Sequence, residues 1–217
     1  MILPDLQNIL LFASAAFALI VMPGPAVLYI TTKSIDQGYK AGLVSVLGIG
    51  TGALFHVFAA AFGISALFIA STLAFTILKY VGACYLIYLG IQKFRENINL
   101  SQHKSSHKPT QKLLSVFYEG VVVNILNPKV ATFFFAFLPV FVSEEKGGLT
   151  SQILFLGFLF IIIAVLSDIV YVFVSNKLSG WITNNPDYLK FQKYIVGSIY
   201  VLLGLLTFAV NKPSIKK

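Results

Sequence analysis

Charge is what this chain has little of. Of 217 residues only 11% are Asp, Glu, Lys or Arg, and just eight are acidic, where a soluble domain carries about a quarter charged residues. With 57% of residues hydrophobic, no room is left for a sizeable soluble domain, and the composition is that of a membrane protein. Cysteine is nearly absent. Cys84 stands alone, which excludes an internal disulfide framework, and inside an apolar run it reads as a small packed helix residue, not a metal ligand. No paired carboxylates, nucleophile triad or metal-ligand set stands out, so a membrane-embedded enzyme is disfavoured and no cofactor is implied. The net charge of +8 does not mark a nucleic-acid binder, because the basic residues are scattered at the ends of apolar runs, where they set orientation. The N-terminus lacks the basic stretch of a signal peptide, Asp5 being its sole charge before Lys33, so the first apolar run reads as a retained helix.

What is present is apolar sequence in long runs. Six reach the length of a transmembrane helix: 6–30, 41–70, 73–94, 113–142, 149–174 and 188–210. The expected fold is therefore an all-α integral membrane protein with six spans. The fourth run, as one straight helix, would reach about 45 Å, beyond a hydrocarbon core of about 30 Å, so it must tilt, kink or split. A polar, basic, serine-rich linker occupies 95–112. His103 and His107 within it are four apart, but without a third ligand they read as a solvated loop.

Two of the runs carry prolines. Pro23-Gly24-Pro25-Ala26 interrupts the first, and Asn124-Ile125-Leu126-Asn127-Pro128-Lys129 the fourth. In lipid every backbone polar group needs an internal partner, so each proline frees a carbonyl that something must satisfy. Broken helices in matching halves point to a transporter binding site. If the chain restarts as a helix at Ala26, its first N–H groups form a positive dipole end suited to a carboxylate; the other reading is a kink that fits neighbouring helices. Asn124 and Asn127, three apart, can cap the broken ends or bind a ligand's ammonium and carboxylate. Lys129 needs a partner, a water cavity or a route to the interface.

Asp168 is the one acid in the fifth run, a candidate proton carrier or partner for a substrate ammonium, or else a structural partner of Lys129. Glu119 sits near the start of the fourth run and reads as interfacial. Gly48, Gly52 and His56 share one helix face; the Gly-x-x-x-Gly pair permits close helix contact, and His56 on that seam either titrates or simply packs. The stretch 133–137, four phenylalanines and an alanine, reads as a lipid-facing or core surface.

The linker separates similar halves. Lys79-Tyr80-Val81 matches Lys193-Tyr194-Ile195, and Leu89-Gly90 matches Leu203-Gly204 at the same offset of 114. The chain thus reads as one transmembrane domain, with repeat one over about 1–94 and repeat two over about 113–217. Three helices per half make the repeat inverted. Setting aside Lys129, which lies within a run, ten of the Lys and Arg residues fall toward the side of loops 1–2, 3–4 and 5–6 and five toward the other, which places both termini outside the cytoplasm.

These residues carry a family resemblance. The chain resembles the LysE/RhtB family of bacterial amino-acid exporters in Pro23-Gly24-Pro25, Gly38-Tyr39-Lys40-Ala41-Gly42-Leu43 and Gly48-x-x-x-Gly52-x-x-x-His56. The likeness continues through 78–90 and through Asn124-Ile125-Leu126-Asn127-Pro128-Lys129-Val130. It implies an inner-membrane exporter of amino acids or their derivatives, driven by the proton-motive force and acting as a homodimer in lipid. Relatives often have Asn or Asp after Pro-Gly-Pro; here Ala26 follows, which leaves backbone amides as what the first break offers a substrate. The substrate-binding set expected is Pro23, Gly24, Pro25, Ala26, Asn124, Asn127, Pro128 and Lys129, with Asp168 and His56 coupling protons. The alternative is an exporter of inorganic cations on a related fold, for which the spans offer few ligands.

Overall fold

A computed structural model describes residues 3–70, 72–95, 111–143, 146–183 and 186–209. Among these every regular element is helical: α1 (Leu6–Ile20), α2 (Pro25–Ala70), α3 (Thr72–Arg95), α4 (Leu113–Ile125), α5 (Pro128–Thr132), α6 (Leu149–Thr183) and α7 (Pro186–Ala209). Most of the 95–112 linker, with His103 and His107, lies outside the described residues. Among the described residues two helical stretches are long and apolar enough to cross a membrane, Pro25–Ile64 and Leu149–Ser175. A third candidate is the pair Leu113–Ile125 and Pro128–Phe141, bent by 44°.

Both proline breaks are real interruptions. α1 stops at Ile20 and α2 opens on Pro25, whose missing N–H falls where a helix has no acceptor for it. α4 stops at Ile125, and α5 again opens on a proline, Pro128. The long fourth run therefore splits. Beyond Thr132 it widens into a π-helical turn over Phe133–Phe137, where the Leu138 N–H reaches the Phe133 carbonyl, and then tightens into a 3₁₀ turn over Leu138–Phe141.

One expectation was too simple. The polar stretch between the first two runs reads as a loop, yet it stays helical on both sides of one residue. Gly38 sits at φ 82°, ψ 180° inside α2, a left-handed value that glycine adopts without a Cβ penalty. α2 is thus two rods, 25–37 and 39–70, joined at Gly38.

The core is aromatic. Phe12 of α1, Phe133, Phe134, Phe137 and Phe141 of the irregular fourth segment, and Phe160 of α6 are all buried. Their rings pack tilted or edge-on, with centroids 5.0 Å apart for Phe133–Phe160 and 5.5 Å for Phe12–Phe141. The phenylalanine run is core, and the wide turn is what fans its rings inward. Outside, Leu6, Leu10, Phe17, Leu47, Phe62 and Leu166 are exposed, as side chains facing lipid would be. Between lipid-facing helices the hydrophobic effect supplies little, so close packing has to hold the bundle.

Glycines set that packing. A Cβ on Gly48 would lie 2.3 Å from the Phe117 carbonyl oxygen, and one on Gly52 would lie 2.6 Å from that of Val121; the Gly-x-x-x-Gly seam is where α2 meets α4. α3 and α7 meet reciprocally. A Cβ on Gly90 would lie 2.8 Å from the Gly197 oxygen and 3.1 Å from the Val201 nitrogen. A Cβ on Gly204 would lie 2.9 Å from the Ala83 oxygen and 3.3 Å from the Ile87 nitrogen. Adding 114 to 90, 83 and 87 gives 204, 197 and 201, so the same contact occurs twice with the halves exchanged.

Candidate functional site

The carbonyls that the prolines free are met by side chains from other helices. Pro25 cannot donate to Val21, and the Tyr171 hydroxyl of α6 donates to the Val21 carbonyl at 2.6 Å. The next carbonyl, Met22, accepts from the Lys129 ammonium at 2.5 Å. Pro128 cannot donate to Asn124; that carbonyl accepts from the Asn127 N–H at 3.0 Å and bonds His56 Nε2 at 2.9 Å. Lys129 thus belongs to the second break by sequence and closes the first by contact. It is buried, 7% exposed.

The asparagines hold the second break in shape. The Asn124 amide donates to the Ile49 carbonyl of α2 at 2.7 Å, the Asn127 amide donates to Asn124 Oδ1 at 3.3 Å, and Asn127 Oδ1 caps α5 by accepting from the Lys129 N–H at 3.1 Å. Both are buried, and in such a place an unpaired amide would be costly. The rod 25–37 is different. Its N-cap position is Gly24, which has no side chain to cap with, so the first-turn N–H groups of Ala26 and Val27 have no helical acceptor. Gly24 also makes room for a neighbour: a Cβ there would sit 3.2 Å from Lys129 Cδ.

Between the breaks lies a narrow cavity of about 40 Å³, room for a few waters and not for an amino acid. Gly24, Ala26, Asn124, Asn127, Lys129 and Asp168 line it, with apolar side chains of α2 and α6. Asp168 is buried, 5% exposed, close enough to Lys129 for the charges to interact. One apolar-walled cavity therefore holds a helix N-terminus, an ammonium and a carboxylate. Pro23, Pro25 and Pro128 shape the backbone without lining it. His56, 2% exposed, also stands outside the wall: it stacks on Phe134, and Nδ1 has no hydrogen-bond partner.

Sequence reasoning passed over Tyr171, although it lies three residues from Asp168 on α6. It also passed over the polar cluster at one end of the molecule. There Glu119 forms an ion pair with Lys33 at 2.9 Å and accepts from Gln111 Nε2 at 2.9 Å.

Comparison with known proteins gives the family. The profile of the LysE-type translocators matches residues 17–211. The chain is 33% identical over 184 residues to a homoserine/homoserine lactone efflux protein of Salmonella typhimurium, covering 85% of this chain and 87% of that one. It is 30% identical to the uncharacterized membrane protein YrhP of Bacillus subtilis, over 93% and 99% of the two chains. It is 24% identical to a leucine efflux protein of Enterobacter sp., over 89% and 92%. No solved structure matches the chain. The chain belongs to the LysE-type translocator family and is a transporter, not an enzyme.

Proposed function

We propose that this protein is a secondary exporter of amino acids or their derivatives in a bacterial inner membrane, exchanging protons for substrate. The observation that carries this reading is the central cavity, where Lys129, Asp168 and the open first turn of 25–37 meet between two helix breaks. A zwitterion suits that charge layout. Its carboxylate is placed at the Ala26 and Val27 amides and Lys129, its ammonium at Asp168 and the Asn124–Asn127 pair. Pro23, Pro25 and Pro128 keep the helix ends open there. Asp168 exchanges the proton, and His56 links that event to the second break through its bond to the Asn124 carbonyl. At about 40 Å³ the cavity corresponds to a closed state, which alternating access requires.

Six spans as an inverted repeat are part of the same reading. The reciprocal Gly90 and Gly204 contacts support it. So do the ends: Gln111 contacts Lys33 and Gln37 at one end, and Asp5 pairs with Lys146 at the other. The Lys and Arg excess makes the Lys33 end cytoplasmic, with both termini outside. The homodimer follows from the family resemblance. Cation export is not favoured, since among the described residues no three His, Cys, Asp or Glu side chains converge as metal ligands would.

The test is efflux from cells loaded with leucine- or homoserine-containing dipeptides. Overexpression should raise efflux, and Asp168→Asn should abolish its response to an imposed pH gradient. Efflux no faster than in cells lacking the protein would overturn the reading; gradient-driven efflux by the Asp168→Asn protein would remove Asp168 from coupling.

A further inference from the structure

A second and larger cavity, about 440 Å³, opens beside the first break at the Lys33 end. That is the size of an ordinary small-molecule pocket. Its charged lining and much of its polar lining come from the rod 25–37 (Tyr29, Lys33, Asp36), from Gln111 just before α4 and from Glu119 within α4. Pro25 and Val123 line it too, while Gly24, Ala26 and Asn124, their direct neighbours in sequence, line the central cavity. One layer of backbone separates the two.

The charges in this mouth are arranged around one ion pair. Lys33 and Glu119 pair at 2.9 Å with side chains 13% and 43% exposed, so the carboxylate end of the pair is open to water. The Lys33 ammonium lies 5.2 Å above the Tyr29 ring. The Tyr29 hydroxyl donates to the Val116 carbonyl at 2.6 Å and lies 3.3 Å from Glu119 Oε2. Gln111 bridges the two charges, its Nε2 donating to Glu119 and its Oε1 accepting from Lys33.

We propose that this mouth is a loading subsite that receives the amino-acid substrate by its two backbone charges before it reaches the central cavity. The substrate carboxylate takes the place of Glu119 on Lys33, and the substrate ammonium pairs with Glu119 and Asp36. One ion pair is exchanged for two, and the charge of mouth plus ligand is the same before and after, because the zwitterion is neutral. Such an exchange is close to balanced in energy, as loading and onward transfer require. The substrate side chain lies over Leu28 and Val123, which are apolar. The subsite therefore reads the α-ammonium and α-carboxylate common to all amino acids and discriminates weakly among side chains. This inference rests on the reading above that the substrate is an amino acid.

The test uses the purified full-length protein in liposomes, with transport of labelled leucine measured over a range of concentrations. Glu119→Gln and Lys33→Gln should each raise KM about tenfold while Vmax stays within about twofold, the pattern of lost binding shared by ground and transition states. Asp36→Asn, which leaves the Lys33–Glu119 pair in place, should raise KM by a smaller factor and carries the test where the other two proteins do not fold. N-acetyl-leucine, which lacks the ammonium, should compete poorly against the unaltered protein, and the Glu119→Gln change should narrow its disadvantage. Unchanged KM in every folded variant, or a fall in Vmax alone, would overturn the subsite and leave the exporter reading standing. No leucine or homoserine transport by the unaltered protein would overturn both.

Discussion

The Lys129 ammonium donates to the Met22 carbonyl at 2.5 Å, across 107 positions of sequence. The cation that the second helix break carries into the membrane is thereby held by a carbonyl that the first break leaves exposed. Each break is incomplete without the other.

Replacing Lys129 with methionine keeps an unbranched stem and removes the donor. The Met22 carbonyl then loses its partner in a buried setting, which costs about 1–3 kcal/mol. The expected result is a lower melting temperature in detergent together with loss of leucine and homoserine efflux. A melting temperature equal to that of the unaltered protein would show that the bond does not hold the break.

His56→Phe keeps a ring stacked near Phe134 and removes the contact to the Asn124 carbonyl. That carbonyl retains the Asn127 N–H, so the loss should be about 1 kcal/mol. Thermal unfolding measures it directly. Stabilisation by the phenylalanine would mean the histidine's second, unpartnered nitrogen outweighs its bond.

The α2–α4 seam gives a paired test. Gly48→Ala places a methyl 2.3 Å from the Phe117 oxygen, where backbone has to move, and should destabilise by about 1–3 kcal/mol. Gly63→Ala meets nothing within 4 Å and should be neutral or stabilise by up to about 1 kcal/mol. Both are read from melts in the same detergent.

Gly90→Ala and Gly204→Ala should lower stability by amounts equal within about 0.5 kcal/mol, because each methyl meets the same set of atoms on the opposite helix. A large loss for one and none for the other would show that the halves do not share this seam.

The breaks, the glycine seam and the apolar runs were legible because they are local: a proline removes a donor wherever it sits, and small residues at four-residue spacing lie on one helix face. Lys129 and Asp168 could be named for the same reason, since a charge inside an apolar run is visible without a fold. Their partners could not. The Lys33–Glu119 pair joins positions 86 apart, and Tyr171 meets Val21 across 150, so nothing in the flanking sequence of either announces the other. The helical joint at Gly38 was not legible for a different reason. Asp36-Gln37-Gly38 has the composition of a loop, and one glycine at positive φ lets helix continue on both sides. The phenylalanine stretch has no period to read, and its inward face comes from the π-helical turn ahead of Pro139.

The rod 25–37 has a non-helical joint at each end, the Pro-Gly-Pro break and Gly38. It is a crank between two swivels. Consecutive helical residues are turned by about 100°, so a roll of that size about its own axis moves each side chain to the bearing its neighbour held. Pro25 and Leu28 face the mouth while Ala26 and Val27 face the central cavity. A roll of one such step would bring Ala26 to the bearing of Pro25, on the mouth side, while Val27 took the bearing of Ala26 and stayed on the central side.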